Sequence, residues 1–381
     1  MNKKLVAVAV AAFLAAPLAQ AQTANVVLYG RLNLDLEFID AGGSGASSNL
    51  PSITRLSSNS SRFGLRGTES LGGGLNAIWQ IESSVSGDAG GGTIAGRDTF
   101  IGFQGGWGTV RFGNFLAPYD DMHPIFGNNA SYTTSILATA ALWANNGGSS
   151  VGAGAFDDRL GNSLRYDTPT IAGFNGGVQV AMYDDAGSGA ARDAWIVSTA
   201  GQYKNGPFQA GIAYEQHNDV RADGLNDWAF TGTAAWDFGI VRVAGVFERV
   251  SYDTPVGGSL SRNLWGVAFN GPAGPGTWHF MYQMADDGSG PSNYRVGGFT
   301  GGDNTGAYHI TTTYNYPLSK RTAVYVGYSR IDNDSNASYN YNINPYRAVS
   351  VAAPPGAAGQ SINGPIGATY NGFVLGAIHL F

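Results

Sequence analysis

The 381-residue chain carries 57 Gly, 19 Tyr, 19 Phe, 8 Trp and no Cys, with 13% charged side chains and a formal charge of −6. The acidic balance disfavours nucleic acid as a partner, and the absence of cysteine excludes a disulfide framework, so hydrogen bonds and packing must hold the fold. Glycine and rings in this proportion suit a long sheet rich in turns and aromatic anchors.

The chain starts with Lys3 and Lys4, an apolar run from Leu5 to Leu18, and Ala19-Gln20-Ala21. A positive end, an apolar core and a small-residue exit predict a secretory signal peptide over residues 1–21. The apolar run is too short to span a bilayer comfortably. Removing the two lysines leaves 19 basic against 27 acidic residues, a formal charge of −8. No linker or composition shift divides residues 22–381, which are expected to form one domain.

The first segment after that point, NVVLYGRLNLDLEFID, alternates with a period of two. Leu28, Leu32, Leu34, Leu36 and Phe38 share one face, and Tyr29, Arg31, Asn33, Asp35 and Glu37 the other. One such strand fits either a soluble sandwich or an outer-membrane barrel, in which the apolar face meets lipid and the polar face meets water. The pattern recurs over 61–71, 75–84, 97–104, 109–115, 159–167, 177–183, 194–203, 208–217, 227–238, 241–252, 263–270, 277–285, 307–316, 322–331 and 369–381. With the first segment this predicts about sixteen strands, within the even-numbered range of bacterial barrels.

The connections sort by length. Gly72 to Gly74, Gly105 to Trp107, Asn205-Gly206, Phe238-Gly239, the Gly271 to Gly276 patch and Ser319-Lys320 read as turns, while Asp40 to Ser60, Ser86 to Gly96, Asp286 to Asn304 and Asn333 to Ala368 are long and polar. Short turns on one rim and long loops on the other mark a barrel crossing a membrane. Trp228 and Trp236 share a face eight residues apart, and Trp195 and Tyr203 repeat the spacing, as two interfacial girdles would. The last strand stops at Phe381, which is expected to close the barrel against the first strand and leave no free edge. One stretch breaks the rhythm: Leu116 to Asp158 runs for roughly forty residues without alternation, which inside a compact domain points to a functional loop. It is expected to fold into the barrel and narrow it.

Five histidines invite a catalytic reading. His217, His279 and His309 have lumen parity, His379 lies on the outward or rim face, and His123 is in the inward loop. No nucleophile elbow, paired-His zinc spacing or phosphate loop accompanies them, so no catalytic residue, metal ligand or cofactor site is assigned and no enzyme activity is expected.

Several stretches resemble the Gram-negative general porins, in particular the trimeric beta-proteobacterial and neisserial group. They are SRFGLRGTESLGGGLNAIWQIE at 61–82, GRDTFIGFQGGWGTVRFGNF at 96–115, DRLGNSLRYDTP at 158–169, YNYPLSKRTAVYVGYSRIDN at 314–333, and the terminal strand. The resemblance implies an all-β, closed antiparallel transmembrane barrel of sixteen strands in the outer membrane. It further implies a homotrimer among outer-membrane lipids that passes ions and small hydrophilic solutes passively. Its third external loop would carry acids facing a basic wall. Carried over, the wall is Arg31, Arg62, Arg97 and Arg159, and the acids are Asp120 and Asp121. Arg66, Arg111 and Arg165 have lumen parity independently.

Where many porins carry further loop-tip acids, this chain has Ile125 and Asn128 or Asn129. A thinned acidic side predicts weak anion preference, since charge lining a narrow pore sets which ions linger. Two other readings remain: a substrate-specific channel, and a barrel whose loops 40–60 and 333–368 serve surface adhesion.

Overall fold

The computed structural model describes residues 25–43, 49–127, 136–145, 154–184, 193–341, 343–346 and 364–381; the expected signal peptide lies outside them. Period-two alternation becomes sixteen antiparallel strands. They are β1 (Asn25–Gly43), β2 (Ile53–Ser58 continued by Arg62–Gly72), β3 (Leu75–Ser84), β4 (Thr99–Gly105), β5 (Gly108–Leu116), β6 (Arg159–Asp167), β7 (Phe174–Asp184) and β8 (Asp193–Asn205). The second half comprises β9 (Phe208–Asn218), β10 (Asn226–Asp237), β11 (Arg242–Asp253), β12 (Ser259–Ala273), β13 (Gly276–Ala285), β14 (Ala307–Pro317), β15 (Thr322–Asn333) and β16 (Ala368–Leu380).

Each strand pairs with the next, and β16 returns to β1 in a register running from Arg31↔Leu380 to Gly43↔Ala368. Closure satisfies the ladder all the way round, which a sheet standing in hydrocarbon requires. At the seam Gly30 and Phe381 exchange both backbone hydrogen bonds, at 2.9 and 3.1 Å. The Phe381 ring lies over Gly30, where a Cβ would sit 2.4 Å from Phe381 Cζ and 2.7 Å from the Arg62 carbonyl oxygen. Because one of those neighbours is backbone, Gly30→Ala is expected to destabilise the seam by about 1–3 kcal/mol. Gly201→Ala, whose Cβ would meet nothing within 4 Å, should be neutral. The temperature at which the folded band is lost on semi-native gels checks both, and equal values for the two variants would refute the seam argument.

The outward faces are apolar: Leu28, Leu32, Phe38, Ile101, Phe112, Ile212, Phe373 and Leu375 are all exposed. At the short-turn rim the rings of Phe174, Tyr203, Phe208, Trp236 and Phe238 follow one another at 4.3, 6.2, 6.1 and 6.3 Å. Toward the long-loop rim Tyr214 stacks with Trp228 at 6.4 Å and Tyr282 with Tyr308 at 6.2 Å. Two belts of amphipathic rings flanking an apolar band fit the two interfaces of a bilayer.

Two connections are shorter than expected. Much of Asp40 to Ser60 is strand, because Ile53-Thr54-Arg55-Leu56 keeps alternating and pairs with β1 from Ile39↔Ile53 to Leu34↔Ser58. β2 breaks only at residues 59–61, where Ser60 takes φ 51°. The Gly271 to Gly276 patch is mostly ladder, with Pro272 opposite Thr277, and the turn itself is Gly274-Pro275. The long polar loop after β13 folds a small hairpin, Arg295–Val296 against Phe299–Thr300. The described part of the loop after β15 is tied to its neighbours: Arg55 donates to the carbonyls of Asn344 and Pro345, and Arg295 to that of Asn336.

Candidate functional site

The third external loop, between β5 and β6, turns into the lumen and runs along one side of it. Its ends are tied where the Ala117 N–H donates to the Asp158 carbonyl at 3.2 Å. A 3-10 turn, Pro118–Met122, leads into a short helix, His123–Phe126, and Pro at the start of each favours that geometry. Four inward-facing glycines admit the loop's apolar side chains to the wall. A Cβ at Gly211 would meet Ile125 and Met122, at Gly266 Phe126, at Gly327 Leu137, and at Gly372 Ile136, each within about 3 Å. The loop thus packs against β9, β12, β15 and β16, and Met122, Ile125, Phe126, Leu142, Trp143 and Phe156 are fully buried.

A buried polar clasp holds the loop at its centre. Glu248 on β11 accepts from the Tyr119 hydroxyl at 2.8 Å and the Ala144 N–H at 2.7 Å, and pairs with Arg262 of β12 at 3.0 Å. Arg262 also donates to the Leu142 carbonyl. Tyr252 donates to the Gly154 carbonyl at 2.7 Å, fixing the returning limb. Sequence reading did not single out these residues.

The basic wall stands on β1 to β6, on the side the loop's apolar packing leaves. Arg31 and Arg62 are direct cross-strand partners, as are Arg111 and Arg165. Like charges directly opposite each other destabilise a sheet, and carboxylates on the same wall relieve them. Glu82 takes Arg97 at 2.6 Å, Arg62 at 3.5 Å and the Tyr29 hydroxyl at 3.0 Å. Asp98 takes Arg159 at 2.7 Å, and Asp167 takes Arg111 at 2.6 Å and Arg165 at 2.8 Å. Arg66 lies 5.0 Å above the Tyr29 ring. Glu82, Asp98 and Asp167 were missed as site residues. Glu82 has the lumen parity of Gln80 and could have been found by it.

The loop acids are engaged as well, one with the wall and one within the loop. Asp121 binds Arg165 at 2.6 Å. Asp120 gathers with His123 and Asp157, their ligand-type atoms all within 4.8 Å of one another. Burial, with Asp157 and Asp121 nearby and His123 opposing, pushes Asp120 up to about 7. Burial disfavours the His123 cation, but Asp157 and Asp120 outweigh it and leave its pKa raised. Ile125, expected at the pore-facing tip, is turned to the wall and wholly buried, because the apolar side of the short helix faces Gly211. Asn128 and Asn129 lie outside the described residues.

The other histidines are structural in their surroundings. His217 bonds Glu215 at 2.8 Å beneath the Phe156 ring, and His309 bonds Ser329 at 2.9 Å where both are shut from solvent. His379 meets Thr322 at 2.9 Å between β15 and β16.

The family model described as Gram-negative porin matches residues 7–336. Outer membrane porin protein 32 of Delftia acidovorans is 28% identical over 332 residues, covering 85% of this chain and 88% of the relative. Major outer membrane protein P.IB of Neisseria meningitidis is 33% identical over 236 residues, covering 59% of this chain and 62% of the relative. Among solved structures, an anion-selective porin from Comamonas acidovorans superposes with a TM-score of 0.72 at 24% identity, covering 94% of this chain and all of that one. A trimer form of OmpT from Vibrio cholerae gives 0.63 at 15% identity over 94% of this chain. The two superpositions are likenesses of fold. Together with the closed barrel, the inward third loop and the arginine wall, the family match leads to one conclusion: the chain belongs to the Gram-negative porins, outer-membrane channels for passive diffusion.

Proposed function

We propose that this porin is a homotrimeric, weakly anion-selective channel for ions and small hydrophilic solutes, with no chemical step and no cofactor in its mechanism. One observation carries the selectivity. Eight arginines, Arg31, Arg55, Arg62, Arg66, Arg97, Arg111, Arg159 and Arg165, have lumen parity on β1 to β6 or stand at its rim, against Asp35, Glu37, Glu82, Asp98 and Asp167 of the same wall and the loop's Asp121 that pairs with it. In a narrow, partly desolvated passage such an excess of positive charge lowers the energy of an anion relative to a cation. The acidic net charge of the chain does not oppose this, since carboxylates in outer loops beyond a Debye length of about 8–10 Å are screened.

The trimer form of the Vibrio cholerae structure supports the oligomer, and the Comamonas acidovorans porin, itself anion-selective, supports the sign of the selectivity. Reconstitution in a planar bilayer under a salt gradient tests both. The expected result is stable conductance steps in groups of three, with a reversal potential on the anion side. Cation preference would discard the charge argument, and steady single steps from a folded protein would discard the trimer. A current that saturates with one solute class would favour a substrate-specific channel instead.

A further inference from the structure

We propose that Asp120, His123 and Asp157 form a binding site for a divalent transition metal, zinc above all, that ties the two ends of the constriction loop together. Asp120 and His123 are three residues apart where the 3-10 turn passes into the short helix, so they share a face. Asp157 arrives from the returning limb, and the three ligand-type atoms lie within 4.8 Å of one another. His123 Nε2 and Asp157 Oδ2 are already 3.4 Å apart, close to the separation of about 3.3–3.4 Å that two ligands on a tetrahedral zinc require.

A second observation points independently to a ligand. The His123 side chain is 2% exposed, and its buried Nε2 makes no well-formed hydrogen bond, facing the Asp157 carboxylate at 3.4 Å. The ring is held in place rather than loose: Nδ1 meets the Thr139 hydroxyl at 2.8 Å, and the imidazole stacks on Trp143 at 3.9 Å. In the neutral tautomer whose Nδ1–H donates to Thr139, Nε2 presents a lone pair, the usual arrangement around a ligating imidazole, and a bound dication would take the place of the proton that His123 otherwise shares with Asp157. One imidazole and two carboxylates are a donor set that suits zinc, with a water completing four-coordination. Asp120 is only half-buried and leaves the cluster an entrance.

A bound dication would join residues 120–123 to residue 157 across the loop's neck and add positive charge near Arg159. Zinc should therefore stiffen the constriction and move the pore further toward anions. The binding itself does not depend on which ion the pore prefers.

The test is equilibrium dialysis of chelator-stripped, detergent-folded protein against zinc chloride, with heat-modifiable gel mobility as the check on folding. One zinc per chain is expected, with affinity lowered at least tenfold in His123→Gln and in Asp157→Asn. Asp120→Asn, at the more exposed edge, is a third variant that does not depend on those two folding. In a planar bilayer zinc should shift the reversal potential of the wild type reversibly, with chelator restoring it, and leave His123→Gln unmoved. No saturable binding by the wild type, or equal binding in folded His123→Gln, would overturn the proposal by making His123–Asp157 a plain ion pair.

Discussion

Glu248→Ala is expected to cost about 3–5 kcal/mol and to leave a channel with larger, noisier conductance. The cost follows from what remains behind. Arg262 is fully buried and would lose its carboxylate, and breaking a buried pair from one side leaves an uncompensated charge in a dry site. The Tyr119 hydroxyl and the Ala144 N–H, both buried, would lose their acceptor at the same time. Those two donors lie 25 residues apart in the loop, so one substitution removes a wall contact from each of two separate stretches of it. Replacing the pair together, as Glu248→Leu with Arg262→Met, removes the stranded charge and should recover the part of the stability that this charge costs. It should not recover the quiet current, because residue 119 would keep only its N–H bond to the Ser198 hydroxyl as a hydrogen bond to the wall, and residue 144 only its carbonyl bond to the Phe156 N–H within the loop. Urea midpoints and single-channel traces of the three proteins separate the two effects. A Glu248→Ala channel as stable and as quiet as the wild type would show that the clasp does not hold the loop.

The contrast between wall and clasp shows where reading the sequence reaches. Strands and lumen parity were legible because a half-buried strand writes its two faces into every second residue, so Arg31, Arg62, Arg66 and Arg111 could be placed by counting. Counting fails where the backbone slips. β6 carries an irregularity opposite Gly113 and Phe115, with Asn162 at φ 48°, and beyond it Leu160 rather than Gly161 faces inward. The clasp was not legible because its members stand far apart in the chain, 129 residues for Tyr119 and Glu248, and no local period links them. The four inward glycines were visible as residues, but that they admit Ile125, Phe126, Ile136 and Leu137 appears only once the loop is folded. Ile125 illustrates the cost of carrying a motif over by position. A place that holds an acid in many porins holds an apolar side chain here, and burial decides where such a side chain goes.

Neutralising two arginines of the wall should weaken anion preference several-fold, while neutralising one carboxylate should strengthen it. A unit charge about 8 Å from an ion is worth about 0.5 kcal/mol in water, roughly a factor of two in the ion's occupancy, and more where the wall excludes solvent. Arg62→Gln with Arg97→Gln should therefore lower the anion-to-cation permeability ratio by about fourfold or more. Both arginines converge on Glu82, so the double variant also strips that carboxylate of its ion-pair partners and leaves its negative charge uncompensated. Glu82→Gln keeps the shape and the acceptor for the Tyr29 hydroxyl but frees Arg62 and Arg97, and should move the reversal potential the opposite way. The opposed signs are what make the pair informative. A change in pore width would alter conductance in either variant, but only a field set by these side chains predicts shifts in opposite directions from one cluster. Reversal potentials measured at two ionic strengths add a further constraint, since both shifts should shrink as salt shortens the screening length. An unmoved reversal potential in the double variant, or a shift toward cations in Glu82→Gln, would place the selectivity elsewhere in the pore.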